Sequence, residues 1–204
     1  MKVTALQPNP AIYTCRTYLV RGDWNTLDDV NALIDPGADG HVIDEIRTIS
    51  TGVGKRPVER VVLTHGHFDH ASGVRAVQEA FLPEVLAQHP EPGWLPLREG
   101  QDLLLGDRYF RVHQLPVHSA DSILLYNAAE GVLFSGDTPL RVQSSDGSYP
   151  PEFARFIEYL LGSGVKAVYP GHGPPVFREE AAAMLRETLR LLNESPMAQG
   201  GHHV

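Results

Sequence analysis

A chain of 204 residues that is 42% hydrophobic and 21% charged can bury one good core, so we expect a single domain over residues 1–193. The formal net charge of −8 argues against nonspecific nucleic-acid binding, whose main favourable term is the neutralisation of phosphates by basic side chains. The sequence shows neither a run near the ~20 apolar residues of a membrane span nor an apolar signal-peptide core, and Cys15 has no disulfide partner, so we expect a cytoplasmic protein in a reducing compartment.

The first half of the chain alternates predicted strands with predicted helices. Apolar and β-branched runs predict strands at residues 2–6, 15–21, 30–34 and 58–63, and a further short strand at 85–88. Apolar residues spaced along one face predict a helix that begins near His41 and ends at Gly52 and Gly54. A second helix is predicted over residues 70–81, directly after a histidine-rich loop.

The second half repeats this order. A Pro- and Gly-rich surface loop at 90–96 precedes predicted strands at 102–105, 109–115, 123–126 and 132–134. A helix at 152–161, a strand at 165–169 and a helix at 178–192 follow, and residues 194–204 are expected to form a disordered tail. Strands followed by helices, twice, predict an α/β fold in which two mixed sheets pack face to face with helices outside.

The most informative stretch is Thr-His-Gly-His-Phe-Asp-His at residues 64–70, directly after an apolar strand. His65 and His67 are two apart on extended backbone and project to the same side. Asp69 and His70 lie where the next helix begins, and a carboxylate is favoured at that positive end. Imidazole nitrogen and carboxylate oxygen are donors that zinc, iron(II) and manganese accept, so the loop predicts a metal site.

Three further ligand-type residues each follow an apolar strand. His118 lies in Leu-Pro-Val-His-Ser, Asp137 in Ser-Gly-Asp-Thr, and His172 in Pro-Gly-His-Gly. Taken singly, each is equally explained as an ordinary turn residue. Because strand ends and loops meet along one edge of such a fold, together they predict a shared centre with the histidine-rich loop.

This ordered set of motifs resembles the metallo-β-lactamase fold superfamily, and within it the small glyoxalase II-like hydrolases. The resemblance runs from Leu-Ile-Asp-Pro-Gly at 33–37 to Gly173. It implies a four-layer αββα sandwich with a binuclear metal site at the edge of the sheets. It also implies that one metal takes His65, His67 and His118, that the second takes Asp69, His70 and His172, and that Asp137 bridges them.

The implied cofactors are two divalent metal ions, with zinc expected and iron or manganese as alternatives. Such a pair lowers the pKa of a shared water, and a bridging hydroxide would attack an ester, thioester or lactone. Asp69 and Asp137 are the expected catalytic carboxylates, since Asp69 would orient the hydroxide and accept its proton. Asp35 is expected to orient ligands, although an ordinary Asp-Pro-Gly turn explains it equally well.

The substrate is expected to be a small molecule, with no nucleic-acid or membrane partner, and a homodimer is a further option. The loop at 139–151 is the expected specificity element, in which Arg141 would pair with a substrate anion and Tyr149 would donate to an oxyanion. A solvated Arg141 and a packed Tyr149 are the competing interpretations of these two residues.

Three departures from the family pattern bear on the substrate. Val117 stands where a glycine is common before the fourth histidine. Only 32 residues follow His172 in this sequence, too few for the helical domain that helps glyoxalase II bind glutathione, so we do not expect specificity for glutathione thioesters. The cysteine ligand of antibiotic-hydrolysing members has no counterpart, since Cys15 lies far upstream.

Two other functional classes fit the same residues. One is an oxidoreductase similar to the persulfide dioxygenases, with a single iron held by His65, His67 and Asp137 and with His118 completing or replacing one position. The other is a non-catalytic metal-binding domain, against which the complete ligand set argues. Metal content separates the three classes: two equivalents of zinc, manganese or mixed metals favour hydrolysis, one iron favours the oxidoreductase, and no metal favours the non-catalytic domain.

Overall fold

The computed structural model describes residues 1–143 and 149–194, within which the chain forms twelve β-strands and five α-helices. The strands are β1 Lys2–Ala5, β2 Tyr18–Arg21, β3 Ala32–Ile34, β4 Arg60–Val62, β5 Glu84–Ala87, β6 Leu95–Pro96, β7 Asp102–Leu105, β8 Arg108–Gln114, β9 Ile123–Asn127, β10 Val132–Gly136, β11 Ala167–Pro170 and β12 Val176–Phe177. The helices are α1 Val42–Thr48, α2 Phe68–Ala71, α3 Val74–Phe81, α4 Pro151–Gly162 and α5 Arg178–Glu194.

The strands form two six-stranded sheets, in the order β1-β2-β3-β4-β5-β6 and β12-β11-β10-β9-β8-β7. In the first sheet β1, β2 and β3 are antiparallel, while β3 to β6 run parallel. The second sheet is antiparallel except for the parallel pair β10 and β11. The prediction of two mixed sheets is therefore confirmed.

One apolar core lies between the two sheets. Tyr18 and Ile34 of the first sheet meet Phe110 and Phe134 of the second, and the rings of Tyr18 and Phe134 lie 5.7 Å apart. Fully burying one such side chain stabilises the fold by roughly 1.5–3 kcal/mol. This shared core holds the sheets face to face.

Helices cover the outer faces of both sheets. Ile46 of α1 and Val77 of α3 are buried with Leu33 of the first sheet. On the second sheet, Phe153 of α4 and Leu185 of α5 belong to one buried cluster with outward-facing strand residues. The layers therefore run helix, sheet, sheet, helix, and the predicted αββα sandwich is confirmed.

The helix predicted over 70–81 is in fact two helices, α2 and α3, separated at Ser72 and Gly73. Gly73 lies against the loop after β3, where its N–H donates to the carbonyl of Gly37 over 2.8 Å. A Cβ at Gly73 would lie 2.4 Å from the carbonyl oxygen of Asp39, which is closer than real Cβ contacts come. This close approach of two backbone segments ends the first helix, and spacing alone does not reveal it.

Other predicted bounds differ because tertiary hydrogen bonds override local pattern. The strand predicted at 15–21 begins only at Tyr18, since the N–H groups of Cys15 and Arg16 donate to the carbonyls of Asp69 and Gly171 instead. The predicted loop at 90–96 contains β6, and the two-residue strand β12 was not predicted. Glu194, the first residue of the predicted tail, ends α5, and the rest of that tail lies outside the described residues.

In the described part of the chain, every helix is too short or too polar to cross a membrane.

Candidate metal centre

The candidate metal centre lies at one edge of the sandwich, where strands of one direction end. Asp35 follows β3 and His65 follows its parallel neighbour β4. Asp137 and His172 follow the parallel strands β10 and β11. His118 follows β8, which runs in the direction of β10 because both are antiparallel to β9. Carboxyl ends of such strands gather at one edge, which brings residues far apart in sequence together.

The first group of donors consists of His65, His67 and His118, whose ligand atoms lie within 4.8 Å of one another. His118 Nε2 lies 3.0 Å from His67 Nδ1, and the three rings meet edge to face with centroids 4.5 to 4.8 Å apart. His65 is buried, whereas His67 and His118 are exposed. Val117 has no positive φ, so its lack of glycine-like freedom does not keep His118 out of the group.

The second group consists of Asp69, His70, Asp137 and His172, again within 4.8 Å. His172 Nε2 lies 3.0 Å from Asp69 Oδ2, and His70 Nε2 lies 3.2 Å from Asp137 Oδ1. Asp69 and His70 are buried, while Asp137 and His172 are partly exposed. The candidate centre is therefore buried where Asp69 and His70 lie and open to solvent where Asp137 and His172 lie.

Asp137 lies between the two groups. Its Oδ1 is 3.2 Å from His70 Nε2, while its Oδ2 is 3.6 Å from His118 Nε2 and 3.5 Å from His172 Nε2. All seven sequence-predicted ligands are thus brought to one volume, with one carboxylate in contact distance of both halves.

Asp35 lies beneath this volume and is only 2% exposed. Its Oδ1 accepts the Thr64 N–H at 2.8 Å, and its Oδ2 accepts both the Thr64 hydroxyl at 2.7 Å and His70 Nδ1–H at 2.9 Å. Since the Thr64 hydroxyl donates to Asp35, its oxygen can accept from His65 Nδ1, 3.2 Å away. These hydrogen bonds leave Nε2 of His65 and of His70 directed to the centre.

The charges in the centre follow from burial and neighbours. Burial, with help from nearby His70, lowers the pKa of His65 to about 4, and burial also lowers the pKa of His118. Burial opposes a charge on His70, but Asp35 and Asp137 outweigh it and raise the pKa of His70. Burial alone would raise the pKa of Asp137, but the close contact of its Oδ1 with His70 Nε2 at 3.2 Å outweighs burial and lowers it. At neutral pH the metal-free centre thus offers neutral imidazoles at His65 and His118 and an ionised carboxylate at Asp137, while His70 holds a proton that a cation would displace.

The donor set fits divalent cations. His65 Nε2, His70 Nε2 and Asp137 Oδ1 are buried and have no hydrogen-bond partner among the described residues. Unpartnered buried polar atoms are costly, and these three are donor atoms that divalent metals accept. A metal ion in each group would satisfy them.

Sequence reasoning missed several residues that support the centre. Cys15 lies against Asp35 and His70, but burial raises the pKa of its thiol to about 11, so it is a protonated packing residue. Tyr13 stacks on His172 with ring centroids 5.2 Å apart and with its hydroxyl 3.4 Å from Nε2. No local pattern marks Tyr13, because long-range contacts place its loop there, among them the backbone hydrogen bonds of residues 15 and 16.

Asp121 was also missed, although it joins the two loops of the first group. Its Oδ2 accepts the Gly66 N–H at 2.7 Å and its Oδ1 accepts the Ser119 hydroxyl at 2.7 Å. Burial opposes its ionisation, but these two donors outweigh burial and lower the pKa of Asp121. The carboxylate therefore fixes the loop between His65 and His67 against the loop that carries His118.

We expect Asp121→Ala to weaken metal binding at the first group about 10- to 100-fold, as loss of a ligand-supporting partner typically does. Asp121→Asn keeps one acceptor oxygen and should lose less. Metal titration of both variants measures this, and wild-type affinity in Asp121→Ala would contradict the role of Asp121.

The two predicted substrate contacts lie in different surroundings. Arg141 is exposed and lies 3.9 Å from Glu180 at the mouth of a cavity of about 490 Å³ beside the centre, which we call the α5 cavity. Tyr149 is partly buried and packs on Phe153, with ring centroids 5.4 Å apart, and it does not line that cavity. Five residues of the predicted specificity loop, 144–148, lie outside the described part of the chain.

Comparison with known proteins places this geometry in a family. Residues 13–96 match the model of the metallo-beta-lactamase superfamily. A hydroxyacylglutathione hydrolase of Anaeromyxobacter dehalogenans is 32% identical over 150 residues, covering 69% of this chain and 56% of the relative. The acyl-coenzyme A thioesterase MBLAC2 of Gallus gallus is 29% identical over 162 residues, covering 59% of this chain and 58% of the relative.

Among solved structures, the BLEG-1 B3 metallo-beta-lactamase is 22% identical with a TM-score of 0.61, and the match covers 98% of this chain and 100% of that one. This likeness concerns the fold. The chain spans only about half the length of the curated relatives that it matches.

Proposed function

This chain belongs to the metallo-β-lactamase superfamily, and from that premise we propose that it is a hydrolase of small acyl thioesters that uses two divalent cations, zinc in the first instance. The observation that carries the proposal is the convergence of seven donor side chains in two groups, with Asp137 between them. A complete set of donors for two cations favours hydrolysis over chemistry at a single iron. Esters and lactones are the next substrates to test.

We assign His65, His67 and His118 to one cation and Asp69, His70 and His172 to the other, with Asp137 shared. When bound, the cations would supply an activated water and a positive centre for the carbonyl oxygen. The protein's own part is to hold these donors in place before substrate arrives. Asp35 does this for His70, and Asp121 does it for the loop of His65 and His67.

Asp69 is our candidate for the group that orients the attacking water and accepts its proton. It is only 4% exposed, and its Oδ2 lies 3.0 Å from His172 Nε2 and 3.7 Å from His70 Nε2. A buried carboxylate in contact with two imidazoles is held in one orientation, as a general base requires. Arg141, at the mouth of the α5 cavity, remains our candidate contact for an anionic part of the substrate.

The substrate class rests on the relatives and on the site. One relative is named a hydroxyacylglutathione hydrolase and another an acyl-coenzyme A thioesterase, and both names describe the hydrolysis of acyl conjugates. The open side of the centre, where His67, His118 and His172 are accessible, leaves room for a large leaving group in solvent. A thioester of a small acyl group with a bulky thiol fits this arrangement.

The proposal is tested by measuring the metal content of the purified protein and then its hydrolysis of a panel of thioesters, esters and lactones. We expect two equivalents of metal and faster turnover of thioesters than of matched oxygen esters. One equivalent of iron, with no hydrolysis of any panel member, would overturn the proposal and favour the oxidoreductase.

His67→Ala should remove the first cation and lower kcat/KM for the best substrate by at least about 100-fold, since loss of a direct ligand exceeds the loss of a supporting partner. His67 is exposed, so the free energy of unfolding of the metal-free protein should change by no more than about 0.5 kcal/mol. His89→Ala, at another exposed histidine, is the matched control. Full activity in His67→Ala would contradict the assignment of His67 as a ligand of the first cation.

A further inference from the structure

The α5 cavity begins at the candidate metal centre. Asp137, His118 and His172 form one side of it, so a group bound in the cavity is in direct reach of the centre. Its volume of about 490 Å³ lies in the usual range of small-molecule sites. The cavity is therefore placed to hold part of whatever molecule reacts at the centre.

The wall away from the centre is apolar. It is formed by Leu140, after β10, by Val168 and Val176 of β11 and β12, and by Met184 of α5. Leu140, Val168 and Val176 are 4%, 1% and 7% exposed, so this wall is continuous with the buried core behind it. Such a surface gains free energy by covering hydrocarbon and offers little to a polar ligand.

The remaining charges lie at the rim. Among the described lining residues, Arg141 and Glu180 are the charged side chains outside the metal centre, and their exposed ends lie 3.9 Å apart. Opposite charges this close largely cancel, so the rim does not select a multiply charged group. Glu180 and Met184 are four residues apart on α5 and share one helix face. The same face of α5 therefore contributes to both the charged rim and the apolar wall.

We propose that the α5 cavity binds the acyl chain of the substrate and that Met184 limits the length of that chain. This rests on the proposed function, which puts the scissile carbonyl at the metal centre. Buried side chains form its apolar wall, and its volume of about 490 Å³ limits the length of a group that it can hold. A thiol carrier, being large and polar, then leaves on the open side.

The test uses the metal-loaded protein and the acetyl, butanoyl, hexanoyl and octanoyl thioesters of one thiol. In the wild type, kcat/KM should rise by up to about fourfold for each methylene that enters the cavity, which is the usual gain on burying a methylene. Met184→Trp should fill the cavity and remove most of this rise, so that the four thioesters differ little in kcat/KM. Ala183→Trp, at an exposed neighbour on α5, should leave the series unchanged.

Met184→Ala is the control that distinguishes a change in cavity size from a general loss of stability. It enlarges the cavity and should move the preference toward longer chains, opposite to Met184→Trp. General loss of stability would lower all four rates together in both variants. Equal kcat/KM for all four thioesters in the wild type, or an unchanged series in both Met184 variants, would overturn the proposal.

Calorimetric binding of butanoate, hexanoate and octanoate separates this proposal from the hydrolase proposal. If binding tightens with chain length and Met184→Trp abolishes that trend, the cavity binds acyl chains even where no thioester is hydrolysed. If thioesters are hydrolysed but neither rate nor binding depends on chain length, the hydrolase proposal stands and the assignment of the α5 cavity fails.

Discussion

Asp137→Asn is expected to lower metal occupancy at both positions of the centre at once and to reduce kcat/KM by at least about 100-fold. The reason is its placement: Oδ1 lies 3.2 Å from His70 Nε2 in the second group, and Oδ2 lies 3.6 Å from His118 Nε2 in the first. Asparagine offers one neutral oxygen and an N–H₂ group, whose hydrogens repel a cation. A single substitution thus removes one negative charge that both positions share.

The measurement is metal content after dialysis against a range of free metal concentrations, with zinc and iron counted separately. Asp28→Asn, which removes a carboxylate at an exposed position, is the matched control and should keep both equivalents. Loss of metal at only one position in Asp137→Asn would mean that Asp137 is a ligand of one cation, and the shared role would be wrong.

The convergence of the candidate ligands could be predicted from sequence because most of them follow an apolar strand. His65, Asp137 and His172 all lie just beyond strands whose pattern is plain, and the geometry of sheets then brings the ends of like-directed strands together. The supporting residues could not be predicted in this way. Asp121 contacts a loop 55 residues away in sequence, and Tyr13 contacts one 159 residues away. The residues near them in the chain show no pattern that predicts these contacts.

The same distinction holds for the fold. The sandwich follows from the order of strands and helices, since apolar faces must be covered whatever the details. The first and last residues of the helices and strands do not follow from that order. At Gly73 the backbone lies too close to the carbonyl of Asp39 for any side chain, and β2 starts late because the N–H groups before it donate to the carbonyls of Asp69 and Gly171. Several of these unpredicted contacts join loops that carry the candidate metal ligands, so the least predictable part of the fold is the part that shapes the candidate centre.

Asp35 gives the second large prediction, because one buried carboxylate supports two ligands. Asp35→Ala removes the acceptor of Thr64 N–H, of the Thr64 hydroxyl and of His70 Nδ1–H. In the metal-free protein Asp35 and Asp137 hold the pKa of His70 above its ordinary value despite burial, so the substitution leaves a buried charge without one of its two partners. We expect a loss of about 3–5 kcal/mol in the free energy of unfolding.

Asp35→Asn separates ligand orientation from folding. Residue 35 has φ of +51°, a conformation that asparagine adopts more readily than alanine does, so the backbone strain added in Asp35→Ala is avoided. Its one oxygen cannot replace both carboxylate oxygens, so its N–H₂ group must face either the Thr64 N–H or His70 Nδ1–H, and the negative charge beside His70 is lost. We therefore expect a folded variant whose metal affinity at the His70 position falls about 10- to 100-fold.

Chemical denaturation of the metal-free variants measures the first effect, and metal titration of Asp35→Asn measures the second. Because Thr64 also contacts His65, the first position should weaken as well, but by less, since His65 is one hydrogen bond further from Asp35. Metal affinity equal to that of the wild type in Asp35→Asn would show that His70 keeps its orientation without the carboxylate. Asp35 would then be a folding residue alone, and packing around His70 would have to fix the ligand.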